Sequence, residues 1–201
     1  MNGPGVLAAA VLGYLLGSFP SADVAGRLAT RGARLDLRAH GSGNPGATNA
    51  ALVLGKHWGA AVLLVDLGKG AGAVFAGRAL GGDAGAYLAA VAVVVGHVVP
   101  PWSHFRGGKG MATTGGAVFA AFPLYFPIAV VLAAAVAFGT HRTELAAQVS
   151  AGALVAAAVV CTATAAPNGW GPPTGGGLIA FAVADALLIV VKFALARAPA
   201  T

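Results

Sequence analysis

Seven apolar segments, at about residues 5–26, 59–79, 85–100, 111–123, 124–139, 146–166 and 177–196, take up most of this chain. A helix needs ~20 apolar residues to cross a bilayer, and most of these segments approach that length. Only 9% of the 201 residues are charged and 58% are hydrophobic, whereas a soluble domain is roughly a quarter charged. The pattern predicts an all-α polytopic membrane bundle of about seven transmembrane segments, forming one membrane-embedded domain over residues 1–201. Abundant Ala and Gly suit close helix packing in lipid, and the high apolar content excludes disorder. The segments at 85–100 and 111–123 are short and lie beside Pro100, Pro101, Pro123 and Pro127. They read as half-helices lining a cavity or packed inside protein.

The few charges order the loops. With the N-terminus outside, segments 27–58, 101–110, 140–145 and the C-terminus share one face. They carry Arg27, Arg31, Arg34, Arg38, Lys56, Arg106, Lys109, Arg142 and Arg197, against Arg78 alone on the other face. This is the positive-inside pattern, with the C-terminus cytoplasmic in a cell membrane. Residues 1–17 contain no Lys or Arg, so the first segment reads as a span rather than a cleaved signal. The net charge of +6 suits anionic lipid or phosphorylated small molecules. A nucleic-acid partner is excluded because no soluble basic face exists to carry it. No repeat of 20–50 residues is present, which argues against a solenoid or inverted-repeat transporter.

Two glycine-rich loops fall on the basic face. In "DLRAHGSGNPGATNA", Gly41, Gly43 and Gly46 can turn backbone N–H groups toward one point, and the following helix adds its positive dipole end. Ser42, Asn44, Thr48 and Asn49 add hydrogen-bonding side chains, and Arg38 and Lys56 add charge. The alternative is a loop whose glycines serve left-handed turns and helix caps. In "GHVVPPWSHFRGGKGMATTGG", Arg106 and Lys109 bracket Gly107 and Gly108, and Gly110 and Thr113 open the next segment. This is a second anion cradle, or else a basic anchor before a helix. It is not a Walker A loop, since Gly110 follows Lys109 where Ser or Thr is required.

Other polar residues are fewer. His97 ends an apolar segment and is either a hydrogen-bonded structural group or a functional one. His104 lies nearer the charged loop, while His40 and His57 read as loop residues. Asp66 and Lys69 are three apart and share a helical face, where they can neutralise each other. Asp185 and Lys192 read as a structural pair. Cys161 is the lone cysteine, and no cluster has metal-ligand spacing, so neither a disulfide, a metal nor a cofactor is expected.

"GSFPSADVAGRL", "DLRAHGSGNPGATN", "VDLGKG" and "VVGHVVPPWSHFRGGKGMAT" together resemble the bacterial membrane acyl-phosphate:glycerol-3-phosphate acyltransferase family. The resemblance runs in order from about residue 13 to 115. It implies a seven-helix enzyme that moves an acyl group from acyl phosphate to the first hydroxyl of glycerol 3-phosphate, giving lysophosphatidic acid and phosphate in phospholipid synthesis. It places Ser42 and its loop at the acyl-phosphate group, and Gly107, Gly108, Lys109 and Gly110 at glycerol 3-phosphate. Ser42, Lys109 and His97 are then the catalytic candidates. Arg38, Gly41, Gly43, Asn44, Gly46, Thr48, Asn49, Arg106 and Thr113 join the glycines as binding candidates. Acyl transferases of the H-x-x-x-x-D kind are disfavoured, since no histidine here has the aspartate.

Two positions and the C-terminal end depart from the family pattern. Leu52 stands where an Arg is usual, and Glu144 where a Ser is common. The end "VVKFALARAPAT" lacks the family's His, Asn and late Glu, leaving Lys192 or Arg197 to supply charge. Two other classes remain open on sequence: a divergent homologue that binds a phosphorylated ligand or partner with weak catalysis, and a transporter of phosphorylated solutes.

Overall fold

The computed structural model describes residues 3–33 and 35–197, without the side chains of Ala196 and Arg197. Arg34, the Arg197 side chain and residues 198–201 of the C-terminal motif comparison lie outside the described residues. The regular elements described are all helical: α1 (Gly3–Ser18), α2 (Ser21–Ala29), α3 (Ala47–Leu54), α4 (Lys56–Val98), α5 (Met111–Ala121), α6 (Phe126–Thr140), α7 (Thr143–Ala163) and α8 (Gly176–Arg197). Short 3-10 turns cover Leu37–Ala39 and Pro101–Ser103. Each predicted apolar segment is helical. Four stretches are long and apolar enough to cross a membrane, namely Gly3–Ala29, Lys56–Ser103, Thr143–Ala163 and Gly176–Leu195, while α5 and α6 are shorter apolar helices.

Backbone chemistry explains the breaks. Pro20 has no N–H to continue α1, so the first apolar segment divides at Phe19–Pro20 and restarts as α2. The segments at 59–79 and 85–100 join into α4, which folds back on itself where Gly81 and Gly82 leave helical geometry, Gly82 at φ 64°. The predicted half-helix at 85–100 is instead a continuous arm of α4 whose Ala86, Ala89, Ala90 and Val93 are fully buried. Pro123 sits in the turn after α5, and Pro127 falls within the first turn of α6, where its missing N–H is harmless.

The helix directions follow from close contacts. Gly13 abuts Ala89 and Gly17 abuts Val93, so α1 runs parallel to the second arm of α4. Gly77 faces Gly85 across the hairpin, making the two arms antiparallel. α5 follows the first arm: Thr113 lies against Gly70, while Trp170 Nε1 donates to the Phe119 carbonyl and accepts Arg78 at its own carbonyl. α8 follows the second arm, from Tyr87, which donates to Pro173 O, to Lys192, which reaches Val98 O. α7 runs antiparallel to α8, with Ala147 and Ala151 packed on Ile189 and Phe193. Both glycine-rich loops, the α6–α7 turn and the C-terminal end of α8 therefore share one end of the bundle.

The main core gathers Ala90, Val93 and Val94 of α4 with Phe122, Leu154, Leu178 and Phe181. By contrast, α6 buries no residue and exposes Ile128, Val131 and Phe138, a surface suited to lipid. Asp185 and Lys192 do not pair. They stand seven positions apart on α8, about 10 Å along the axis. The Asp185 carboxylate accepts instead from Thr114 Oγ1 at 2.6 Å, and Lys192 donates to Val98 O at 3.4 Å.

Candidate active site

The first loop is organised around one asparagine. Asn49, buried in the first turn of α3, donates to the carbonyls of Leu37 (2.9 Å) and His40 (3.0 Å) and accepts the Ser42 N–H at 2.8 Å. Gly41, at φ 58°, lies so close that a Cβ there would collide with the Asn49 side chain. Asn49 thus ties the loop together, and the Ser42 hydroxyl is left on an exposed residue. Asn49→Ala removes three bonds to buried or half-buried partners, at a cost of about 1–3 kcal/mol. A lowered Tm is the expected result, read by thermal melting of the purified protein.

Arg38 joins this loop to its neighbours. Its guanidinium donates to both Asp23 oxygens (2.6 and 3.2 Å) and to Asp36 at 3.0 Å, while Nε donates to the Arg106 carbonyl at 2.7 Å. Asp23 also accepts from Ser103 Oγ at 2.6 Å. Burial would raise the Asp36 carboxyl, but the Arg38 N–H, the Arg38 guanidinium and the field of Arg106 outweigh it and hold it below the usual carboxylate range. Burial acts against the Arg38 charge too, and the Asp23 and Asp36 carboxylates more than restore it.

The second loop leaves α4 through a tight turn, with His104 and Phe105 at φ 51° and 60°. Trp102, beside them, donates to Ser18 Oγ at 2.9 Å. Gly107 and Gly108 are buried. A Cβ on Gly108 would stand 3.1 Å from the Pro45 carbonyl oxygen and would strike His97 Nε2. The two glycine-rich loops therefore touch at Pro45 and Gly108 and are bonded through Arg38 and Arg106. Between them lies a cavity of about 20 Å³, reaching His97, Asp23, Arg38 and Ser103. Beside it is a larger one of about 230 Å³ lined by Arg27, Arg38, His104 and Arg106 with Asp23 and Asp36. Three guanidinium-bearing residues line it, that of Arg38 being paired with Asp23 and Asp36.

His97 is buried at the inner wall of the small cavity. Its Nδ1 lies 3.7 Å from Asp66 Oδ1, which forms an ion pair with Lys69 at 2.9 Å and accepts from Ser21 at 2.7 Å. Lys69 also donates to the Phe19 carbonyl at 3.2 Å, at the break before α2. The buried pair thus pins three apolar segments beneath the loops. Lys109 Nζ lies 4.4 Å from the centroid of the Phe193 ring, a cation–π contact.

Among the sequence candidates, the structure brings Arg38, Arg106, His97, Gly107 and Gly108 together around the cavities. Gly43, at φ 72°, packs over Arg38. Asn44 folds onto Gly46, Thr48 is exposed on α3, and Gly110 caps α5 at φ 87°. Thr113 does not join: it is fully buried at the interface with Gly70. Leu52 is 72% exposed on α3, and Glu144 accepts from Gln148 at 3.2 Å. Sequence reasoning missed Asp23, Ser103 and Phe193. The signal for Asp23 was a carboxylate after Pro20 inside an apolar segment, where a charge needs a partner.

Residues 7–196 match the family model described as glycerol-3-phosphate acyltransferase. The chain belongs to that family. The chain is similar to a glycerol-3-phosphate acyltransferase of Exiguobacterium sibiricum, 46% identical over 58% of this chain and 55% of the relative's length. Another, glycerol-3-phosphate acyltransferase 2 of Moorella thermoacetica, is 43% identical over 76% of this chain and 74% of its own. Among solved structures, PlsY (YgiH), an integral membrane glycerol 3-phosphate acyltransferase crystallised in its glycerol 3-phosphate form, superposes with a TM-score of 0.77. It is 29% identical over 94% of this chain and 88% of that one. Family membership and this likeness agree with the membrane bundle.

Proposed function

We propose that the chain moves an acyl group from acyl phosphate to the first hydroxyl of glycerol 3-phosphate at the loop end of the bundle, releasing lysophosphatidic acid and phosphate. As a family member it is a membrane glycerol-3-phosphate acyltransferase of phospholipid synthesis; the donor, the hydroxyl and the residue roles are our reading. The observation that carries it is the contact between the two loops at Pro45 and Gly108. Two phosphate-bearing substrates require two adjacent anion cradles, and holding hydroxyl and carbonyl together removes much of the barrier.

In this reading Ser42 and its loop take the acyl-phosphate group, and the loop from Arg106 to Gly110 takes glycerol 3-phosphate, with Lys109 on its phosphate. The substrate hydroxyl oxygen forms a bond to the acyl carbonyl carbon, and the bond from that carbon to the bridging phosphate oxygen breaks. A phosphate oxygen takes the hydroxyl proton. Loop N–H groups stabilise the charge developing on the carbonyl oxygen. His97, walled in by Gly108 and Asp66, orients the loop. No serine ester, metal or cofactor enters the step.

We place the loop end at the cytoplasmic face, because Arg27, Arg31, Arg38, Lys56, Arg106, Lys109 and Arg142 all lie there and Arg78 lies opposite. Counting the two arms of α4 separately gives seven passes, with the N-terminus outside, as one domain in a bacterial cell membrane. Purified protein supplied with glycerol 3-phosphate and either acyl phosphate or acyl-CoA tests the donor. Lysophosphatidic acid forms from acyl phosphate; turnover on acyl-CoA alone contradicts the reading.

A further inference from the structure

The glycine loop is held from one side by two consecutive residues of α8. The carbonyl of Val98, the last residue of α4, accepts the Gly107 N–H at 3.1 Å and Lys192 Nζ at 3.4 Å. The last carbonyls of a helix lack intrahelical donors and form the negative end of its dipole. Lys192 therefore supplies from a distant helix the cation that this helix end favours. Gly107 packs closely here, since a Cβ would stand 2.6 Å from that same carbonyl oxygen. One residue on, the Phe193 ring carries Lys109 Nζ. Phe193 is itself buried with Ala147, Ala151 and Ile189, so the ring is a fixed platform.

We infer that Lys192 and Phe193 are positioning residues for the cradle that holds the phosphate of glycerol 3-phosphate: Lys192 fixes the start of the loop at Gly107, and Phe193 fixes its cation at Lys109. This rests on the reading of that loop as the glycerol 3-phosphate holder. The bond and the ring contact end on Val98 and Lys109, at the second glycine-rich loop, so the larger effect falls on glycerol 3-phosphate.

The test is glycerol 3-phosphate affinity, measured by calorimetry on purified full-length protein in detergent, beside steady-state constants for both substrates. Lys192→Met keeps the apolar stem and removes the charge-assisted bond, raising the Kd and KM for glycerol 3-phosphate about tenfold. The KM for acyl phosphate rises by less than about twofold. Lys192→Arg restores affinity to within about twofold, and Phe193→Leu weakens it about threefold. A folded Lys192→Met protein with wild-type affinity overturns the inference, as does an equal rise in KM for both substrates, which is general loosening. Where Lys192→Met does not fold, Phe193→Leu decides: unchanged affinity overturns and a selective rise supports. Wild-type protein that binds glycerol 3-phosphate without forming product overturns the transferase reading, while the same affinity series still decides this one.

Discussion

Lys109→Ala lowers affinity for glycerol 3-phosphate by about a hundredfold, the ~3 kcal/mol of a hydrogen bond to a charged group. The size follows from the surroundings. Gly107, Gly108 and Gly110 are buried, so Lys109 brings the only full charge among residues 107–110. Arg106, the adjacent cation, has its backbone carbonyl engaged by Arg38, which fixes the chain direction at the loop's entry. The Phe193 ring stays in place in the variant, so the loss reports the ammonium and not a collapsed platform. Calorimetric titration of purified protein reads the change. An unchanged Kd removes the second cradle from the account.

Asp66→Ala has the largest expected effect on stability. Asp66 and Lys69 are buried in α4, with Asp66 also taking the Ser21 hydroxyl. Removing the carboxylate leaves an ammonium buried and uncompensated, which costs about 3–5 kcal/mol. For a chain of this length that is roughly a 10 °C fall in Tm, read by thermal unfolding in detergent. Replacing both partners, as Asp66→Leu with Lys69→Met, removes the stranded charge and recovers most of the loss. A double-mutant cycle separates the pair from its surroundings. If Asp66→Ala melts with the wild type, the pair does not pin the three segments.

The bundle was legible because a chain in lipid must satisfy its backbone within each segment, so apolar runs alone locate the helices. The break at Phe19–Pro20 and the hairpin at Gly81–Gly82 were less legible. Glycines in an apolar chain serve close packing as well as turning, and only the fold shows Gly81 and Gly82 leaving helical geometry. Loop glycines and Arg38 stood out by local composition. Asp23, Ser103 and Phe193 did not, since their partners lie far along the chain: Asp23 meets Ser103 across 80 residues. Asn49 shows the opposite limit, because a side chain rich in hydrogen-bonding groups reads as a ligand contact until its bonds are found tying its own loop. The pairing assigned to Asp185 and Lys192 failed for a similar reason, as each found a nearer partner on another helix.

The central claim is direct transfer between two substrates held in neighbouring cradles. It is tested most directly by the time course of phosphate release from acyl phosphate, with and without glycerol 3-phosphate, alongside lysophosphatidic acid formation. The account predicts no release and no acylated protein without glycerol 3-phosphate, and phosphate and lysophosphatidic acid in equal amounts once it is added. A burst of phosphate or an acylated side chain in its absence would contradict it, as would phosphate release unaccompanied by product.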